Sequence, residues 1–223
     1  MIKISTKYIA DKIKEAIDTI SCEAEPSCVR ALEEAYEKEE KGTSKFALEV
    51  MLDNIRIAKR ERRPVCQDTG MVVVFVKIGK EVILTGKLLQ DAIDDAVEQA
   101  YVTLRKSVLD PVTRINTRTN TPAVVHTQFV EEEDVNVEVM LKGFGSENMS
   151  RLYMLTPSQG MDGIKESIIN AVKLAGSNPC PPMVVGVGIG GTAEKAMLLA
   201  KEQLLREIGA PSEDSALAAL EQE

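Results

Sequence analysis

Two cysteines stand in matching settings. Cys66 lies two residues after Pro64, in the loop Pro64-Val65-Cys66-Gln67-Asp68-Thr69-Gly70, directly ahead of the apolar run MVVVFVKI at 71–78. Cys180 lies between Pro179 and Pro181, directly ahead of a second apolar run at 183–187. Stiff backbone at a sheet edge is where substrate reaches a bound cofactor, so two such thiols suit a metal or cluster assembled from distant loops. For either cysteine alone, the plainer reading is a small buried hydrophobe. The absence of any CxxC spacing excludes a zinc ribbon and a thioredoxin motif. Cys22 and Cys28 fall on helical or inter-helical sequence and read as structural. His126 is the only histidine, which excludes a multi-histidine metal site and leaves one imidazole base; on a predicted strand, its plainer role is packing. Arg105 precedes a long polar loop, and it either complements a helix C-terminus or clamps a carboxylate through its two-pronged guanidinium. The glycine run at 186–191, GVGIGG, raises a dinucleotide site, but its spacing is GxGxGG and the chain beyond it stays helical where a second strand is needed.

The elements that must position these residues follow from periodicity. Residues 5–59 read as three helices, with Ile9, Ile13 and Ile17 on the first apolar stripe, Ser27 able to cap the second, and Gly42 with Thr43 and Ser44 opening the third. Pro64 ends this helical part. The run at 71–78 is β-branched and almost wholly apolar, as a strand buried on both faces should be. One helix is expected over 87–106, then a polar loop over 108–123 too long for an ordinary connection and therefore suspect as functional. Strands are expected at 124–129, 135–141 and 183–187, a glycine loop at 142–148, and helices at 163–175 and 192–208. The fold class is α/β, with N-terminal helices followed by a mixed sheet flanked by helices, and residues 1–223 are expected to form a single domain whose helical N-terminal part spans 1–60.

Composition narrows the function. The 223 residues carry a formal net charge of −8 with only eight aromatic side chains and no tryptophan, and no basic stripe with interleaved aromatics offsets this. Nucleic acid and anionic membrane surfaces are therefore poor partners. No apolar run approaches the roughly 18 residues that span a bilayer, and the N-terminus has no signal-peptide apolar core. Four scattered cysteines do not make a secreted disulfide scaffold, and a cytoplasmic location is expected.

Taken in order, PVCQDTGMVVVF, LRKSVLDP, NTPAVVH, KGFGSEN, NPCPPMVVGVGIGG and LAKEQLLR resemble the alpha subunit of the two-subunit class I fumarate hydratases and L(+)-tartrate dehydratases, the iron-sulfur hydro-lyases. The resemblance runs from about Ser27 to Arg206. It implies a four-iron, four-sulfur cluster held by three cysteines, of which Cys66 and Cys180 match two, while the iron without a cysteine binds substrate. It further implies Asp68 as the proton-transfer residue, Gln67 and Arg105 as substrate ligands, and the loop of Gly143 and Gly145 as a source of backbone N–H groups for a carboxylate. The third cysteine of the family lies in a continuation past this chain's last helix, and neither Cys22 nor Cys28 matches it. As written, the chain therefore resembles an incomplete cluster site, by truncation or a split gene. The implied partners are a beta subunit, a small dicarboxylate and a second alpha-beta unit. The implied reaction is hydration of fumarate to L-malate, a tricarboxylic acid cycle step, ahead of tartrate dehydration on prevalence alone. A nucleotide-binding protein resting on GVGIGG and a non-catalytic partner-binding subunit are the readings from other classes.

Overall fold

The computed structural model describes residues 1–102 and 104–223. The chain divides into two compact units, Met1–Phe144 and Gly145–Glu223. The order of elements is β1 (Ile2–Ser5), α1 (Thr6–Ile20), α2 (Pro26–Lys38), α3 (Thr43–Glu61), β2 (Met71–Gly79), β3 (Val82–Thr85), α4 (Leu89–Ala100), β4 (Val124–Val130), β5 (Val135–Lys142), α5 (Phe144–Glu147), α6 (Gly160–Ala175), α7 (Ala193–Gln203) and α8 (Ser215–Gln222). The class is mixed α/β, as expected.

In the first unit β2 is the central strand of a three-stranded mixed sheet. It pairs in parallel with β4, setting Phe75 opposite His126, and antiparallel with β5, setting Met71 opposite Lys142. Because side chains alternate across a strand, Val72, Val74, Val76 and Ile78 all point to one face. There they join Ile9, Ile13 and Ile17 of α1 and Ile93 and Val97 of α4 in the main core. The four-residue spacing of the α1 isoleucines puts them on one stripe of the helix, which is why α1 lies against the sheet and α4. Val73 and Phe75, on the other face of β2, are buried too, as the unbroken apolar run implied.

Several boundaries differ from expectation, each for a local reason. The second helix is capped by Glu25 and not by Ser27: Pro26 fixes the first helical position, and the Glu25 carboxylate accepts the Ser27 N–H at 2.7 Å and the Cys28 N–H at 3.2 Å. Those donors hold the Glu25 carboxyl below its usual range, with the Ser27 hydroxyl contributing most. At Gly42 the third helix begins without any side-chain cap. Residues 2–5 and 82–85, given no strand by periodicity, form a parallel pair, and the Thr6 hydroxyl donates to the carbonyls of Thr85 at 3.2 Å and Lys87 at 3.0 Å. The helix expected over 87–106 is shorter, because Tyr101 leaves helical geometry to bury its ring. Thr103, inside that expected span, lies outside the described residues.

In the second unit the strand expected at 183–187 is not formed, and Met183, Val184 and Val185 stay partly exposed. The reason is in the glycines. A Cβ at Gly186 would fall on the Ala200 carbonyl oxygen and one at Gly188 on that of Ala196, so this segment lies directly on the backbone of α7. No strand among the described residues pairs with it. The helix expected over 192–208 closes at Gln203 and passes into tighter turns, with the N–H groups of Leu204, Leu205 and Arg206 each reaching back three residues.

Ile17 has no solvent exposure, whereas Tyr8 on the opposite face of α1 is 60% exposed. Ile17→Ala is expected to lower the unfolding free energy by about 2–5 kcal/mol. Tyr8→Ala should change it by less than about 0.5 kcal/mol. Denaturant unfolding of the two variants measures both.

Candidate functional site

The loop before β2 is shaped by two tight constraints. Gly70 is buried with φ +65°, and a Cβ there would collide with the Lys142 carbonyl, so only glycine lets the loop run beside the end of β5. One residue earlier, the Thr69 hydroxyl donates to the Arg105 carbonyl at 2.8 Å, while the Thr69 carbonyl accepts the Tyr101 hydroxyl at 2.7 Å. Asp68, half-buried, uses both carboxylate oxygens: Oδ1 accepts the Gly70 N–H at 3.1 Å and Oδ2 the Phe144 N–H at 2.8 Å. Its orientation is thereby fixed.

These contacts assemble an open hollow of about 400 Å3 lined by Gln67, Asp68, Arg105, Lys106, Asn116 and Phe144, among others. Arg105 is not at a helix end, since α4 stops at Ala100, so the dipole reading of this cation falls away. Its backbone carbonyl is held by Thr69 and Asn120, and its guanidinium takes no partner among the described residues. Lys106, missed by pattern reading, buries its ammonium without a hydrogen-bond partner among the described residues, 5.6 Å over the Tyr101 ring. Burial pushes its pKa down, partly opposed by Glu98. A cation adjacent to Arg105 in sequence was the only signal for it.

The polar loop beyond Ser107 contains no helix or named strand. Asp110 organises its tip by accepting the Val112 N–H at 3.0 Å, the Thr113 N–H at 2.6 Å and the Thr113 hydroxyl at 2.8 Å, which holds its carboxyl below the usual range. His126 lies outside the hollow's lining and stacks on Phe75 with ring centroids 4.9 Å apart, which fits its plainer role.

Of the residues expected to act, Gln67, Asp68 and Arg105 line one hollow. Gly143 adjoins it, with its Cα facing the Asp68 carboxylate. The intervening Phe144 N–H is spent on Asp68 itself and is not directed at a ligand. Gly145 belongs to the second unit and faces the Asn178 carbonyl, two residues before the exposed Cys180. Cys66 belongs to the first unit and is half-buried; its Sγ accepts the Asp68 N–H at 3.4 Å and donates to Gln67 Oε1 at 3.6 Å. A half-buried sulfur that already accepts a backbone N–H has hydrogen bonding of the kind that surrounds cluster ligands, so Cys66 fits one. Among the described residues no three His, Cys, Asp or Glu side chains are grouped to hold a metal ion, so the described residues do not by themselves supply a full ligand set. Of the GVGIGG glycines, 186 and 188 pack closely on the backbone of α7, while Gly190 and Gly191 take positive φ just ahead of its first turn.

The first unit is thus a mixed α/β unit whose cysteine loop, oriented carboxylate and guanidinium without a partner among the described residues border one polar hollow. The profile of the Fumarate hydratase (Fumerase) family matches residues 10–223, and the chain belongs to that family. It is similar to a Methanocaldococcus jannaschii protein provisionally named L(+)-tartrate dehydratase subunit alpha, with 44% identity over 203 residues covering 86% of this chain and 70% of that protein. It is also similar to the L(+)-tartrate dehydratase subunit alpha of Escherichia coli K12, with 33% identity over 208 residues covering 91% of this chain and 68% of that protein. The chain is thus a hydro-lyase by family. No helix among the described residues is long and apolar enough to cross a membrane.

Tyr101 supplies a test of the site's frame. Burial first, and the Asp68 carboxylate second, push its phenol well above the ordinary 10.0, with the Lys106 ammonium over the ring as the other charge nearby. Above pH 10 an unfolded tyrosine ionises while Tyr101 keeps its proton, so its contribution to stability is complete below that pH and is lost as pH rises through the folded value. Tyr101→Phe is expected to cost about 1–2 kcal/mol at pH 8 through the unpaired Thr69 carbonyl. The gap to the unchanged protein should narrow as pH rises past about 10. Denaturant unfolding across that range reads it.

Proposed function

We propose that the chain is the alpha subunit of a hydro-lyase for a four-carbon dicarboxylate, with L(+)-tartrate as the first substrate and fumarate the second. The observation that carries this is the Arg105 guanidinium, without a partner among the described residues, in one hollow with Asp68 and Gln67. A planar guanidinium receives a carboxylate through two parallel hydrogen bonds, and the amide of Gln67 reads a hydroxyl or carbonyl beside it. The relatives' names favour tartrate. The family's description keeps fumarate in play, and with it a tricarboxylic acid cycle step. Because both relatives are named as alpha subunits, the working enzyme is proposed to pair this chain with a beta subunit, in the cytoplasm.

In this reading Arg105 holds one substrate carboxylate and Gln67 orients the substrate. Asp68, fixed by the N–H groups of Gly70 and Phe144, exchanges the proton that elimination or addition of water requires. Cys66 and Cys180, with a further ligand, are proposed to hold an iron-sulfur cluster, which when bound supplies a Lewis-acidic iron.

The test is the alpha chain co-expressed with its beta subunit and assayed on both substrates. Turnover of L(+)-tartrate exceeding that of fumarate is expected; turnover of fumarate alone overturns the substrate assignment. Asp68→Asn is expected to lower kcat by roughly 10²- to 10⁴-fold with little change in KM. A KM effect with kcat intact would make Asp68 a binding residue instead. Cys66→Ala should also lower the iron and sulfide content of the purified complex, and an unchanged content would remove Cys66 from the ligand set.

A further inference from the structure

Asn120 has no solvent exposure and sits at φ +61°, the left-handed region that asparagine tolerates better than most side chains. Its amide turns entirely onto the segment that carries Arg105. Oδ1 accepts the N–H of Ser107 at 2.8 Å and that of Val108 at 3.1 Å, and Nδ2 donates to the Arg105 carbonyl at 3.1 Å. Its own N–H is taken by the Thr117 hydroxyl at 3.2 Å. Residues 105–108 belong to no helix or named strand, so this amide replaces the regular hydrogen bonding that would otherwise fix their backbone.

We propose that Asn120 is the positioning residue of Arg105, acting through the backbone of 105–108 to aim the guanidinium into the hollow; this rests on the reading of Arg105 as a substrate-carboxylate ligand. Only an amide does the whole task, since it combines an acceptor for two N–H groups with a donor for one carbonyl. A carboxylate at the same place keeps the acceptor and loses the donor. Without the clamp only the Thr69 hydroxyl, the Asn116 amide and the Thr117 N–H still hold the carbonyls of this segment. Its Ser107 and Val108 N–H groups lose their acceptor, and the remaining ordering on substrate binding falls on affinity.

The experiment measures KM, kcat and melting temperature of the alpha-beta holoenzyme carrying Asn120→Asp, Arg105→Ala, or both, with Asn120→Gly, which keeps the left-handed backbone, as a second variant if the aspartate does not fold. Asn120→Asp is expected to raise KM about tenfold with kcat within about threefold, and to change KM less than about twofold when Arg105 is already alanine. A merely structural loss would act equally in both backgrounds, and that result overturns the proposal. So does an unchanged KM in Asn120→Asp while Arg105→Ala raises it, which leaves the Arg105 reading standing. If Arg105→Ala itself leaves KM unchanged, that reading fails and the positioning role fails with it.

Discussion

The structure of the first unit turns on the peptide of Thr69. Its carbonyl accepts the buried Tyr101 hydroxyl and its side chain donates to the Arg105 carbonyl, so one residue ties together the cysteine loop, the end of α4 and the start of the polar loop. Neutral hydrogen bonds of this kind contribute only about 1 kcal/mol each, but each leaves a buried group unpaired if broken, which costs more. That asymmetry gives the knot its hold. Tyr101 cannot continue the helix without withdrawing its hydroxyl, and the Arg105 carbonyl, already occupied, is not offered to an ordinary helical N–H.

Asp68 extends the same logic to the other side of the loop. A carboxylate accepting two backbone N–H groups is rigid, and rigidity is what a group that meets substrate needs. The two demands compete for the same oxygens. Both lone-pair sets on each oxygen are not exhausted by one N–H apiece, so a proposed proton exchange at Asp68 is compatible with the contacts that hold it. Gly70 and Gly143 let this happen by admitting backbone where a side chain would collide with Lys142 or crowd the carboxylate.

How much of this was legible in the sequence depends on the scale of the interaction. The central strand follows from its unbroken apolar run, and the amphipathic α1 from side-chain periodicity, both of which report burial directly. The short strands β1 and β3 did not show, because four residues give no periodicity to read and their pairing joins segments eighty positions apart. The early end of α4 was hidden for a related reason: the pattern through Leu104 continues to favour helix, and a tertiary hydrogen bond from Tyr101 overrides it. Gln67, Asp68 and Arg105 were nameable through the family resemblance. Asn120 was not, since an asparagine in a polar loop looks like any turn residue until its partners are known. Lys106 showed only as a neighbour of Arg105, as nothing in a sequence marks a lysine whose ammonium will be buried.

The glycine run at 186–191 shows how one spelling serves two physical ends. A phosphate loop needs glycine so that backbone N–H groups can approach an anion at a helix N-terminus. Here Gly186 and Gly188, two apart on an extended segment, meet Ala200 and Ala196, four apart along α7. Two residues of extended chain span about 6.6 Å and four residues of helix about 6 Å, so the two spacings match and the glycines form a flat seam against the helix backbone. The small residues Ala196 and Ala200 complete the seam from the helix side. The packing role of the first two glycines is therefore tied to small residues at i and i+4 on the following helix, a feature readable in the sequence once the question is put that way.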